Sequence, residues 1–146
     1  GMTGLPLILD AAALSALSQS RPPARLRALM QVASERGREV ITPTVICAEV
    51  ARGRDRTRAL EGAVIRDDRP GGSRPAVRLV DTDFFLARQV GAILHAAGRG
   101  SADLADGHVV AVGVGAGGGL VATSDPDDIL ALAATVPAAR LQVTHI

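Results

Sequence analysis

Short apolar runs separated by helix-like stretches constrain this chain more than any other feature. Leu5-Pro6-Leu7-Ile8-Leu9, Val40-Ile41, Ala76-Val77-Arg78-Leu79-Val80 and Gly119-Leu120-Val121-Ala122-Thr123 are of strand length, and Leu141 to Thr144 offers a fifth. Runs with so little polar alternation suit strands buried on both faces. Between them lie helical patterns. Ala11 to Leu17 favours a short helix, and Pro22 or Pro23 opens a second through Leu26, Leu29 and Met30, which Gly37 stops. Thr42 and Pro43 read as the N-cap and first residue of a helix that places Glu49 near its middle, and Asp55 to Ile65 continues as another. Asp67 to Pro75 is a polar, Gly/Pro-rich loop. Asp81 or Thr82 caps a helix through Phe84, Val90 and Leu94, Ser101 caps one from about Ala102 to Val114, and Asp125-Pro126 opens the last. Alternation of this kind implies parallel pairing with helical crossovers, hence a three-layer α/β/α sandwich around a central parallel sheet of four to five strands.

Length and composition narrow the class further. With 146 residues the chain fits one domain, residues 2–146, with Gly1 an addition ahead of Met2. Phe84 and Phe85 are its only aromatic residues, so Ala, Val, Leu and Ile must build the core, and both rings are expected to pack there. A net charge of +1 marks neither a polyanion-binding nor an acidic protein. Cys47 stands alone, which rules out an intrachain disulfide, favours a reducing cytoplasm and suits a small core residue. The longest low-charge stretch, Val109 to Thr123, is too short and glycine-rich to span a membrane.

Four widely spaced acids stand in apolar surroundings. Asp10 and Asp125 follow the first and fourth strands, the edge of such a sheet where ligands gather. Either would also serve as a helix cap. Glu49 is surrounded by Val45, Ile46, Cys47, Ala48, Val50 and Ala51, and its plain alternative is an outward ion pair with Arg52. Asp106 opens the apolar stretch Gly107-His108-Val109-Val110-Ala111-Val112, with Asp103 a turn earlier on the same face. Like charges at that spacing destabilise a helix unless a cation lies between them. Carboxylate-only ligation selects Mg²⁺ or Mn²⁺, because Zn²⁺ sites usually recruit His or Cys. His95, His108 and His145 lack mutual ligand spacing and read as structural or surface residues.

These segments resemble the PIN-domain nucleases, in particular the VapC-type toxins of bacterial toxin–antitoxin pairs. The resemblance rests on Leu7-Ile8-Leu9-Asp10, on Thr42 to Val50 bearing Glu49, on Asp106-Gly107-His108-Val109-Val110-Ala111, and on Leu120 to Asp125 with Asp128-Ile129. It implies an Mg²⁺- or Mn²⁺-dependent, cytoplasmic endoribonuclease with Asp10, Glu49, Asp106 and Asp125 as catalytic acids. Asp10, Asp106 and Asp125 would hold metal, and Asp103 shares the third-ligand role with Asp106. Thr123 and Ser124 would touch substrate, with Arg52 as a further phosphate contact. A homodimer and a cognate antitoxin follow from the same resemblance. Gly107, where the family commonly has alanine, and the glycine run 115–119 depart from its pattern.

Other readings fare worse. A haloacid-dehalogenase-like phosphatase needs a second aspartate two residues after the first, where Ala12 stands. Gly113-Val114-Gly115-Ala116-Gly117-Gly118 is formally a G-x-G-x-x-G, but its glycines end a helix and precede a strand, the reverse of a dinucleotide site. Arg52, Arg54, Arg56 and Arg58 could grip phosphates or simply form a solvated helix face with Asp55 and Glu61. A catalytically silent PIN-like domain serving protein contacts or passive RNA binding remains the alternative to the nuclease.

Overall fold

The computed structural model describes residues 4–65, 70–71 and 76–146, so Gly1, Met2 and most of the loop expected over Asp67 to Pro75 lie outside the described residues. Strands β1 (Leu7–Leu9), β2 (Val40–Pro43), β3 (Arg78–Val80), β4 (Gly119–Thr123) and β5 (Leu141–His145) form one parallel sheet in the order β3-β2-β1-β4-β5. In β1, at its centre, Leu7, Ile8 and Leu9 are all buried. Consecutive burial of that kind means that both faces of the sheet are covered. Leu7 is in register with Val40 on one side and Leu120 on the other. The three-layer α/β/α sandwich read from the sequence is the architecture observed.

Chain order around β1 creates the crevice that matters. After β1 the chain adds β2 and β3 on one flank, then crosses to build β4 and β5 on the other. The direction of winding therefore reverses between β1 and β4. At such a switch point the segments leaving the two strands diverge and open a cleft beyond their carboxyl ends.

Seven α-helices cover the sheet among the described residues: α1 (Ala11–Leu17), α2 (Ala24–Glu35), α3 (Cys47–Val50), α4 (Arg54–Val64), α5 (Phe84–Ala96), α6 (Leu104–Gly115) and α7 (Pro126–Ala133). The most enclosed is α6, where every residue from Gly107 to Gly113 is buried. Such a helix has room for few large side chains. A Cβ on Gly113 would come within 2.5 Å of Leu141 Cδ2 and 3.0 Å of Ile8 Cδ1, and one on Gly107 within 3.1–3.3 Å of Val90 and Leu94. Close packing of α5 thus accounts for glycine at position 107. Gly118 turns the chain into β4 with φ +130°, at the opposite end of the sheet from the acids, so the glycine run serves packing and turning.

Several local expectations are corrected. Thr42 and Pro43 do not open a helix: β2 runs through Pro43, and a 3-10 turn (Thr44–Ile46) leads into α3. Thr42 is fully buried, and its hydroxyl donates to Leu9 O at 2.7 Å, so it ties β2 to β1 rather than capping a helix. Glu49 consequently lies in a single helical turn that ends at Val50, not midway along a helix. Asp83, rather than Asp81 or Thr82, caps α5 by accepting from Leu86 N at 2.8 Å. That start places Phe84 and Phe85 in the first turn, 74% and 71% exposed, outside the core that both were expected to join. The buried face of α5 is aliphatic instead, with Val90, Ile93 and Leu94. Ser101 begins a 3-10 turn (Ser101–Asp103), and α6 follows it.

Candidate metal centre

Asp10 leaves β1 directly into α1. It is buried, and its Oδ1 accepts from Ala13 N at 2.8 Å, so this carboxylate caps α1 while standing at the mouth of the crevice. Across the switch point, β4 ends at Thr123. The fully buried Thr123 hydroxyl accepts from Asp125 N at 2.9 Å, which fixes the turn that carries the chain into α7. Ser124 beyond it is exposed. Asp125 occupies the N-cap position of α7, yet its side chain makes no capping bond there. The neighbouring Asp128 carboxylate raises the Asp125 carboxyl above the ordinary range, and the Asp125 carboxyl together with Arg99 lowers that of Asp128.

The connection from α5 to α6 brings the remaining acids. Asp103 precedes α6, Asp106 lies in its first turn, and Asp128 lies in the first turn of α7. One carboxylate oxygen from each of these three half-buried residues falls within 4.8 Å of the other two, a group that could hold a metal ion. Asp106 is its electrostatic centre. Burial pushes its carboxyl up to about 6, and the charges of Asp10, Asp128, Asp103 and Asp125 add to the rise. The acids that follow β1 and β4 are thus near enough to the helix-borne group for their charges to act on it.

A cation from the protein lies against this group. Arg99 Nη1 is 3.3 Å from Asp128 Oδ1 and 3.6 Å from Asp103 Oδ2. The hydrogen bond to Asp128 and the charge of Asp103 keep the guanidinium firmly protonated. Its backbone position follows from Gly98, which ends α5 with φ +66°, and from a bond of Arg99 N to Leu94 O at 2.8 Å.

The structure thus brings Asp103, Asp106 and Asp128 into direct proximity, with Asp10 and Asp125 near enough to influence Asp106. Glu49 is exposed on α3 and stands outside the three-acid group. The Nε of Arg52 donates to Ala48 O at 2.9 Å. His108 is buried, with Nδ1 2.8 Å from Leu104 O, a structural role. Two participants were not read as site residues from the sequence. Asp128 looks like an ordinary acid in a helix's first turn, and the available signals were its spacing of three from the cap position at Asp125 and its place in the last motif. Arg99 sits in a glycine-flanked turn that carries no motif.

The donor set suits a hard divalent cation. It offers only carboxylate oxygens, it is anionic, and burial and the surrounding carboxylates push the carboxyl of Asp106 up to about 6, a penalty that a cation would relieve. The fold is PIN-like, by likeness to solved structures alone. No protein-family model and no curated protein matches its sequence. Solved structures do match: FitAcB from Neisseria gonorrhoeae at 19% identity and TM-score 0.58, covering 93% of this chain and 96% of that one. VapBC2 from Rickettsia felis bound to a promoter DNA fragment matches at 10% and 0.60, covering 94% and 98%. DNA-bound VapBC from Salmonella typhimurium matches at 18% and 0.60, covering 96% and 98%. At such identities the likeness is one of fold. No helix among the described residues is long and apolar enough to cross a membrane.

Proposed function

We propose that this chain is an Mg²⁺- or Mn²⁺-dependent endoribonuclease that hydrolyses RNA phosphodiester bonds, acting as the VapC-type toxin of a toxin–antitoxin pair. One observation carries the reading: three carboxylates converge at the switch point of a PIN-like sheet, with Asp10 and Asp125 close enough to raise the central one. The solved structures of like fold, which are VapBC and FitAcB assemblies, support the toxin assignment and an antitoxin partner. A homodimer working in the cytoplasm belongs to the same reading.

The roles follow from position. Asp106 and Asp128, with Asp103, hold the ion, and Asp10 and Asp125 complete the anionic wall around it. A divalent ion bound there would acidify a water and polarise a phosphoryl oxygen. Asp10 is preset for its part because the α1 cap fixes its rotamer. Thr123 positions Asp125 through its backbone, while Ser124 and Arg52 lie on exposed surface available to substrate. Glu49, exposed on α3, reaches the reaction as an orienting group for water or a second ion. Its place outside the three-acid group is also what favours the silent-domain alternative, in which the ion site persists without turnover.

Cleavage of a structured RNA pool in Mn²⁺ separates the two. The wild type is expected to cut, and Asp106→Asn or Asp10→Asn to lose about a hundredfold or more, since ion-mediated charge stabilisation supplies several kcal/mol and each 1.36 kcal/mol is tenfold in rate. Mn²⁺ binding without cleavage by the wild type would favour the silent domain. Full activity in either variant would overturn the site.

A further inference from the structure

We propose that Arg99 is the resident counter-cation of the acid group: in the metal-free protein its guanidinium occupies the cation position, and a divalent ion binds only as Arg99 withdraws. The inference rests on the metal-dependent reading above and adds to it a residue that sets how readily the ion enters.

Three observations lead there. First, a single nitrogen, Nη1, bridges Asp103 and Asp128, which belong to different segments and are two of the three acids in the candidate ion group. A group that spans two ligands of one site stands where their shared ion would stand. Second, the compensation is incomplete. Three ionised carboxylates and one guanidinium leave two negative charges, and among the described residues Arg99 pairs with Asp103 and Asp128 but not with Asp106. The group therefore still attracts a divalent ion while a monovalent side chain occupies part of it. Third, Arg99 is free to leave. Its side chain is 33% exposed, its partners are 21% and 36% exposed, and half-exposed pairs of this kind are held only weakly. The turn between Gly98 and Gly100 anchors its backbone through Leu94 O, so withdrawal needs only side-chain rotation into solvent.

The cost of displacing Arg99 is subtracted from the affinity for the ion, so removing its charge tightens binding. Calorimetric titration of the full chain with Mn²⁺ tests this. Arg99→Gln is expected to bind Mn²⁺ about three- to tenfold more tightly than the wild type, the range that two weakly held ion pairs provide. Arg99→Lys, which keeps the charge, is expected to stay near the wild-type affinity. A second readout needs no variant. As Mg²⁺ is titrated into ¹⁵N-arginine-labelled wild-type protein, the Arg99 Nε–H resonance should move to the position of a solvated guanidinium. Wild-type binding with Arg99→Gln equal or weaker, or an Arg99 resonance indifferent to Mg²⁺, overturns the inference and leaves the metal site standing. Absence of Mn²⁺ binding in the wild type and both variants overturns the metal reading and this inference together.

Discussion

Asp106 shows how one residue can be both the liability and the purpose of a site. Its folded carboxyl lies at about 6 against an ordinary 3.8, so the native state holds a proton there that the unfolded chain releases. The stability this contributes is fully present below about pH 4 and is lost as pH rises through 6, because native Asp106 must then ionise while half-buried and among four other carboxylates. In chelator, unfolding of the wild type and of Asp106→Asn should differ little at pH 4. At pH 7 the variant is expected to be the more stable by on the order of 1–2 kcal/mol, the full 1.36 kcal/mol per pKa unit being reduced by solvent screening of a half-buried carboxyl. Equal pH dependence in the two proteins would show that Asp106 carries no such penalty. Sequence exposed Asp106 because an acid within an apolar helix demands an explanation. Asp128 entered only as part of the last motif and Arg99 not at all, because their place in the site arises from α5, α6 and α7 converging. Glu49 was the reverse case: apolar neighbours suggested a buried acid, but a helix of one turn leaves its side chain exposed.

At the level of elements, helix starts decide where the acids point. Asp10 has two duties, capping α1 and facing the crevice, and the two separate by mutation. Asparagine is as good a cap as aspartate, whereas alanine forfeits the bond to Ala13 N. Asp10→Asn should therefore retain wild-type stability in chelator while losing cleavage. Asp10→Ala should lose both, with a stability cost of about 1 kcal/mol. Thermal unfolding of the two variants beside the RNA assay gives the comparison, and an Asp10→Ala protein as stable as Asp10→Asn would deny the capping role. Strands and most helices were legible because their apolar periods are strong. The exceptions have a common cause, competition for backbone partners across the sheet or at a cap. Thr42 read as a cap until its hydroxyl was found on Leu9 O. Phe84 and Phe85 read as core because they are the chain's only aromatic residues, but the helix that Asp83 caps buries Val90, Ile93 and Leu94 and leaves both rings exposed in its first turn.

For the molecule as a whole, the sheet order explains why residues so far apart in sequence meet. Asp10 and Asp125 are 115 positions apart, yet β1 and β4 are hydrogen-bonded neighbours, with Leu9 in register with Ala122, so both chains exit at one crevice. That geometry was readable in outline, since apolar strands ending in acids imply an acidic carboxyl edge; the strand order itself, which chooses the neighbours, was not. An assembly that gathers five carboxylates against one arginine is destabilised by its own charge, and a divalent ion relieves it. Binding to the native state alone stabilises by RT ln(1 + [L]/Kd), about 2.7 kcal/mol at a hundred times Kd. For a domain of this size that corresponds to a melting temperature rise of roughly 5–10 °C. The rise should be larger at pH 7.5 than at pH 5, because at the lower pH protonated Asp106 must first release its proton to the solvent before the ion can take its place. Differential scanning fluorimetry with millimolar Mn²⁺ at the two pH values reads both effects, and it needs no RNA substrate. A melting temperature indifferent to Mn²⁺ at pH 7.5 would mean that the charge is balanced by the protein alone, and the acid group would then have no claim to be an ion site.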